Sequence, residues 1–163
     1  PGWYGMTSVK WLRSIEAVTQ PFAGYQQTPA YHFTEDADDV GEPVQRIRPR
    51  ALMVPPGVPD YFTRHRTADA GRIEIIGRAW SGAGEVTRVD VSVDGSWSEA
   101  RLGESVGPFA WRSWSFTWDA VAGEHMLACR ATDATGAVQP IDQPWNYQGM
   151  GNNSVQTVAV TVR

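Results

Sequence analysis

Apolar and polar residues alternate with a period of two through residues 72–163. Because successive side chains of a strand point to opposite faces, this pattern predicts several strands, each with one buried face. The inward rows are Ile73, Ile75, Gly77 and Ala79; Val89, Val91 and Val93; Trp114, Phe116 and Trp118; Leu127, Cys129 and Ala131; and Val158, Val160 and Val162. Short strands between turn residues, with no convincing helix, predict an antiparallel β-sandwich. Asp94-Gly95 predicts a hairpin turn, because Gly tolerates positive φ, and we expect residues 97–102 to pair back on 86–93.

Residues 1–20, which we call the lead, and residues 21–71 lack this alternation. Four apolar residues of the lead have helical spacing, namely Val9, Leu12, Ile15 and Val18. By itself this spacing predicts a short helix that ends at Pro21. Residues 21–71 are rich in Pro, Gly, Asp and Arg, and we interpret them as an irregular segment that connects the lead to the sandwich and packs on it.

Charged residues cluster twice within 21–71. Arg46, Arg48 and Arg50 occupy alternate positions, as in an extended segment with three guanidinium groups on one side. A solvated face and an anion-facing role both fit this row. Residues 35–39 are acidic, but they lack the ordered oxygen spacing and distal Glu of a calcium loop.

Composition narrows the classes of function. A length of 163 residues fits one domain with an extension. With 14 basic and 18 acidic side chains the net charge is -4, so there is no electrostatic case for nucleic acid or an anionic membrane. No apolar run approaches the ~20 residues of a membrane span, and we expect no direct membrane insertion.

Candidate nucleophiles and metal ligands are sparse. Cys129 is the chain's single cysteine, and its place in an alternating row indicates a small buried residue. His32, His65 and His125 are far apart and lack metal-ligand spacing, so we predict no metal site. The eight tryptophans raise the alternative of sugar stacking, but the row that contains Trp114 is typical of core packing.

The opening residues run from a Pro1-Gly2 turn directly into aromatic and apolar positions, without initiator Met or signal peptide. We therefore expect the chain to be a piece of a longer polypeptide. The lead also contains Pro1-Gly2-x-x-Gly5 followed by Ser8-Val9-Lys10-Trp11-Leu12.

Further motifs follow in order along the chain. They are Gly77-Arg78-Ala79-Trp80-Ser81-Gly82, Val89 to Gly95 with Trp97, Trp111-x-x-Trp114, His125, Arg130 to Ala134 with Gly136, Gln139-Pro140, Trp145-Asn146-x-x-Gly149 and Asn152-Asn153. In this order and over nearly the whole chain, they resemble the C-terminal part of the sulfite oxidase family of molybdopterin-dependent oxidoreductases, including its dimerisation domain.

The resemblance implies an all-β, immunoglobulin-like (E-set) sandwich with an irregular N-terminal extension. It implies that residues 9–18 continue as a strand, which we adopt over the helix. It divides the chain into a remnant of the molybdopterin-binding domain (1–20), a connecting segment (21–71) and the dimerisation domain (72–163). It also implies a homodimer through the sandwich and contact with the upstream molybdopterin domain of the same protein.

The resemblance assigns cofactor contact to Ser8, Val9 and Lys10 in the intact enzyme. A Gly-containing turn, a hydroxyl and an ammonium suit the phosphate and polar rings of molybdopterin. Position 8 is His in animal sulfite oxidases. The family's molybdenum-ligating Cys is not in this chain, and Cys129 does not inherit its role. We expect no cofactor to be bound to this chain alone.

One position differs in the substrate loop. Animal sulfite oxidases have Arg in the Trp-Asn-x-Arg-Gly loop, where this chain has Gln148. Gln148 is therefore the candidate substrate-proximal residue, with an ordinary loop residue as the alternative. A neutral amide forms weaker bonds with an anion than a guanidinium does, so sulfite affinity would be lower, or another small substrate is used.

Two hypotheses of different classes follow. In the first, the intact protein is a molybdenum oxidoreductase that oxidises sulfite or a related small substrate by oxygen-atom transfer. In the second, the chain is a stand-alone β-sandwich binding module without catalysis. Both the periplasm and the cytoplasm are compatible with the sequence.

Overall fold

The computed structural model describes residues 2–163, which form a β-sandwich with short additional strands. The strands are β1 (His32–Phe33), β2 (Glu42–Pro43), β3 (Arg50–Val54), β4 (Val58–Pro59), β5 (Arg66–Ala68), β6 (Gly71–Trp80), β7 (Val86–Val93), β8 (Ser96–Glu99), β9 (Arg101–Leu102), β10 (Arg112–Ala120), β11 (Gly123–Asp133) and β12 (Gln156–Val162). Gly5–Thr7 form one 3-10 turn, and the described residues contain no α-helix. None of their helical segments is long and apolar enough to cross a membrane.

Two sheets face each other. The four-stranded sheet has the order β3-β6-β10-β9, and the six-stranded sheet has the order β4-β5-β12-β11-β7-β8. Their strand pairs are antiparallel except β5 with β12, which run parallel. The predicted all-β, immunoglobulin-like sandwich is confirmed, and the parallel pair at one edge was not foreseen. A separate hairpin joins β1 to β2.

The alternating rows predicted from the sequence meet between the sheets. Ile75, Trp114, Leu127, Val89 and Val160 are all fully buried there, with the other inward residues around them. Gly77 is needed beneath the indole of Trp114. A Cβ at this position would lie 2.2 Å from both the Trp114 ring and the Leu52 carbonyl oxygen.

The hairpin prediction is confirmed at its turn and wrong at its far end. Asp94 and Gly95 both have positive φ, 52° and 87°, as a tight hairpin turn requires. β8 pairs back on β7 as far as Glu99. At the buried Ala100 the chain crosses between the sheets, and Arg101–Leu102 pair with β10 instead.

The lead forms neither of the predicted structures. Residues 9–20 contain no helix, and the strand expected over 9–18 has no ladder partner within residues 2–163. A strand requires a neighbour to satisfy its backbone groups, and the rest of this chain does not supply one. The connecting segment contributes more order than expected, because β3, β4 and β5 extend the two sheets. The proposed division at residues 20 and 71 stays a prediction.

Candidate functional site: the cofactor rim and the substrate loop

The start of the lead is fastened to residues 45–47. The Tyr4 amide donates to the Gln45 carbonyl at 2.9 Å, and the Ile47 amide donates to the Gly2 carbonyl at 2.9 Å. The 3-10 turn follows, closed by the Ser8 amide donating to the Gly5 carbonyl at 3.0 Å. These bonds fix the point at which Ser8, Val9 and Lys10, which we call the rim, leave the sandwich.

The rim residues are exposed and keep their donors free. Within residues 2–163, no hydrogen bond uses the Ser8 hydroxyl, the Lys10 ammonium or the amides of Val9 and Lys10. A hydroxyl, a cation and two adjacent backbone amides form a donor set suited to a phosphate or another polar anion.

The substrate loop, which we define as residues 145–151, is organised by its asparagine. Asn146 is buried, its Nδ2 donates to the Met150 carbonyl at 2.9 Å, and its Oδ1 accepts from the Met150 amide at 2.6 Å. Gly149 completes the turn with φ of 66°. Gln148 is half-buried, and its Nε2 donates to the Pro29 carbonyl at 3.1 Å.

Phe33, Tyr4 and Arg48 connect the lead with the substrate loop. The Arg48 guanidinium carbon lies 3.8 Å from the Phe33 ring centroid, and the Arg48 amide donates to the Tyr4 hydroxyl at 3.4 Å. A Cβ on Gly151 would lie 3.0 Å from the Phe33 ring and 3.7 Å from the Tyr4 hydroxyl. The structure therefore brings the base of the rim and the substrate loop to the same end of the sandwich.

The arginine row does not act as one surface. The Arg46 guanidinium donates to the Gly82 carbonyl at 3.2 Å, and that of Arg50 donates to the Asn152 carbonyl at 2.6 Å. With Arg48 over Phe33, each guanidinium has its own partner. The three arginines join separate chain segments and do not form a shared anion site.

The comparisons with known proteins identify the domain. The family model described as the Mo-co oxidoreductase dimerisation domain matches residues 57–163. The chain belongs to this family. Sulfite oxidase of Gallus gallus is 34% identical over 92% of the chain and 35% of that protein. Mitochondrial sulfite oxidase of Homo sapiens is 32% identical over 99% of the chain and 32% of that protein.

A solved structure agrees with this assignment. The sulfane dehydrogenase SoxCD of Paracoccus pantotrophus aligns over 100% of the chain and 44% of its own chain, with 28% identity and a TM-score of 0.81. The chain spans about a third of the length of the curated sulfite oxidases that it matches.

The residues of this chain differ in how well they suit the two parts of the family's molybdenum cofactor, the pterin and the metal. The free donors of the rim fit the polar periphery of molybdopterin. Cys129 does not fit the metal, because burial raises the pKa of its thiol to about 12 and keeps it protonated. The described residues contain no cluster of three or more potential metal ligands.

Sequence reasoning missed how two glutamines hold the edge strand β3. The Gln139 Oε1 accepts from the Ala51 amide at 2.7 Å and from the Ala131 amide at 3.2 Å, while its Nε2 donates to the Ser154 carbonyl at 3.0 Å. The Gln156 Oε1 accepts from the Met53 amide at 2.9 Å. These bonds satisfy the Ala51 and Met53 amides on the free edge of β3, and only the Gln139-Pro140 motif pointed to the region.

Proposed function

We propose that this chain is the C-terminal dimerisation region of a molybdenum-cofactor oxidoreductase of the sulfite oxidase type. The intact enzyme oxidises sulfite or a related small substrate by oxygen-atom transfer. The family membership favours this over a stand-alone binding module. The sulfite oxidase names of the relatives supply the substrate class.

The observation that carries the proposal is the unpartnered lead. Trp11 is 96% exposed and Ile15 is 85% exposed, and Val9, Leu12, Val18 and Phe22 are exposed as well. So many exposed apolar side chains within one short segment are costly in water and mark an interaction surface. The upstream molybdopterin domain of the same protein covers this stretch, and its sheet supplies the missing ladder partner for residues 9–18.

In this proposal, Ser8, Val9 and Lys10 of the rim bind the cofactor that the upstream domain holds. The Lys10 ammonium offsets the negative charge of the pterin phosphate, while the Ser8 hydroxyl and the Val9 amide donate to its polar atoms. When bound, the molybdenum centre supplies two-electron chemistry in which water provides the oxygen atom added to the substrate. Gln148, at the same end of the sandwich, lies near the substrate and offers it a neutral amide. Two subunits associate through their sandwiches.

Replacing Lys10 by Ala in the full-length enzyme tests the rim. The variant loses one charge-assisted contact, so we expect molybdenum content per subunit to fall several-fold after gel filtration, measured by metal analysis. Arg13→Ala is the matched control, since it removes a neighbouring exposed cation of the lead. Molybdenum content equal to that of the unmodified enzyme would remove the assigned role of Lys10.

Replacing Gln148 by Arg tests the substrate. If sulfite is the substrate, the added positive charge lowers the KM for sulfite, while kcat changes less. Gln143→Arg adds the same charge at an exposed neighbouring position and should leave the KM unchanged. The structural similarity to the sulfane dehydrogenase SoxCD supports a second candidate, a sulfane-type sulfur substrate. An unaltered KM for sulfite in Gln148→Arg would support that second candidate.

A further inference from the structure

We infer that Arg48 binds the anionic part of the substrate and supplies the positive charge that the substrate loop lacks. This inference rests on the proposed function and names a residue of this chain that recognises the substrate. The ligand class is a small oxyanion of sulfur, such as sulfite or the sulfate that its oxidation produces.

The substrate loop itself carries no cation. Residues 145–151 contain no Lys, Arg or His, and neither do the flanking residues 139–144 and 152–155. Gln148 offers a neutral amide, whose Nε2 already donates to the Pro29 carbonyl at 3.1 Å. An anion taken out of water needs charged or polar partners that replace its hydration. Within this chain, a cation for the substrate must therefore come from another segment.

Arg48 lies beside the substrate loop. Its guanidinium carbon is 3.8 Å from the centroid of the Phe33 ring, and a Cβ on Gly151 would lie 3.0 Å from the same ring. The Thr34 carbonyl, next in the chain, accepts from the Tyr147 amide at 2.7 Å. The Phe33 ring therefore contacts the guanidinium as well as the substrate loop.

The N–H groups of the Arg48 side chain are free. Among residues 2–163, no hydrogen bond or salt bridge uses its guanidinium, and only its backbone amide is bonded, to the Tyr4 hydroxyl. Contact with the Phe33 ring occupies the flat face of the cation, whereas the N–H groups at its edge can still donate to an oxyanion in pairs. Arg48 is also half-buried, so salt screens its charge less than that of an open surface residue.

The two neighbouring arginines of the row have other tasks. An N–H group of Arg46 donates to the Gly82 carbonyl at 3.2 Å, and one of Arg50 donates to the Asn152 carbonyl at 2.6 Å. Both side chains thus hold backbone segments together. Of the three, Arg48 is the one whose guanidinium has no acceptor within residues 2–163.

The acidic run at residues 35–39 does not neutralise Arg48. The carboxylates of Asp36 and Asp39 accept from backbone amides of their own loop, at distances of 2.8 to 3.0 Å. No carboxylate of the run forms a salt bridge with Arg48. The charge of the guanidinium therefore stays available to a ligand.

Sulfate binding to the full-length enzyme tests Arg48 without relying on turnover. Isothermal titration calorimetry with inorganic sulfate measures the dissociation constant. Arg48→Gln removes the charge, and we expect the constant to rise about 10- to 100-fold, as the loss of a hydrogen bond to a charged group implies. Arg46→Gln is the matched control, because it removes a guanidinium two residues away that is bonded to the Gly82 carbonyl. It should change the constant less than about twofold.

Moving the charge to the neighbouring loop separates anion binding from a structural role. Arg48→Gln should raise the KM for sulfite about 10-fold or more while kcat changes less. Adding Gln148→Arg to this variant should return the KM to within about threefold of the unmodified value, because the new guanidinium serves the same anion. Arg48→Lys keeps the charge without the planar fork and should give an intermediate KM. The thermal midpoint checks that each variant folds.

The outcomes distinguish the role of Arg48 from the proposed function. Failure of the unmodified enzyme to bind sulfate, an unchanged sulfate dissociation constant in Arg48→Gln or an equal rise in Arg46→Gln would overturn the role of Arg48, whatever the enzyme oxidises. A rise in KM that Gln148→Arg does not reverse would show that Arg48 acts through structure alone. An enzyme that oxidises no sulfite but loses sulfate affinity in Arg48→Gln would refute the proposed substrate and retain the anion contact.

Discussion

Replacing Gln139 by Leu should cause one of the largest losses of stability available to a single polar substitution in this domain. Gln139 is 1% exposed, and its amide bonds the Ala51 amide on β3, the Ala131 amide on β11 and the Ser154 carbonyl. Leu fills nearly the same volume, so the change removes hydrogen bonds without a large cavity. The buried amides of Ala51 and Ala131 and the half-buried Ser154 carbonyl then lose their partner.

The magnitude follows from these three groups. Each buried polar group left without a partner costs ~1–3 kcal/mol, and the bond to Ala131, at 3.2 Å, is the weakest of the three. We expect the free energy of unfolding to fall by about 3–5 kcal/mol. With a urea m-value of ~2 kcal/mol/M, the unfolding midpoint falls by about 2 M.

Urea unfolding followed by tryptophan fluorescence measures this change. Gln143→Leu is the control, because Gln143 is exposed and its Oε1 accepts only from the Ser154 amide, at 3.3 Å. Its expected effect is below ~1 kcal/mol. Hydrogen exchange gives a second readout, since the Ala51 amide should lose protection in Gln139→Leu. A loss below ~1 kcal/mol in Gln139→Leu would refute the assignment of Gln139 as the fastening between the sheets.

Three further outcomes are expected. Hydrogen bonds from His125 to the Asp94 carboxylate and the Val121 carbonyl raise the pKa of the imidazole. The stability that His125 contributes is therefore complete below the unfolded pKa of ~6.5 and is lost as the pH rises through the folded pKa. In thermal melts, His125→Gln should destabilise the chain more at pH 6 than at pH 9. Cys129, with a thiol pKa of about 12, should not react with Ellman's reagent at pH 8 until urea unfolds the chain; prompt reaction in native buffer would contradict its burial. Gly77→Ala should cost about 2–4 kcal/mol because its Cβ would overlap the Leu52 carbonyl and the Trp114 ring, whereas Gly5→Ala meets nothing within 4 Å and should change the unfolding midpoint little.

The sequence predicted those strands whose inward rows are long enough to show a period of two. The valine row of β7 and the Trp-Phe-Trp row of β10 both point between the sheets, so their alternation directly records the core, although the outward Asp90 and Ser92 of β7 are buried too. β1, β2, β4 and β9 have two residues each, too few for any period to be visible. They are strands because the fold places each of them beside a pairing partner, and not because of any pattern in their sequence.

The candidate site was predicted less completely because its parts depend on contacts distant in sequence. Ser8 and Gln148 were assigned by resemblance, and their roles stay predictions. What the sequence could not indicate is that Tyr4, Phe33 and Gly151 meet, which places the lead and the substrate loop together. The helical spacing of the lead was misleading, because its apolar side chains are exposed and pack on nothing within residues 2–163.

The fastening of the lead to residues 45–47 has a mechanical consequence for the rim. Ile47 donates to the Gly2 carbonyl and accepts from the Gly82 amide at 2.7 Å, and Gly82 follows β6 by two residues. A short ladder of hydrogen bonds thus links the base of the rim to β6, the longest strand of the four-stranded sheet. The exposed rim therefore begins at a point anchored to the sandwich itself, and not at the end of a flexible tether.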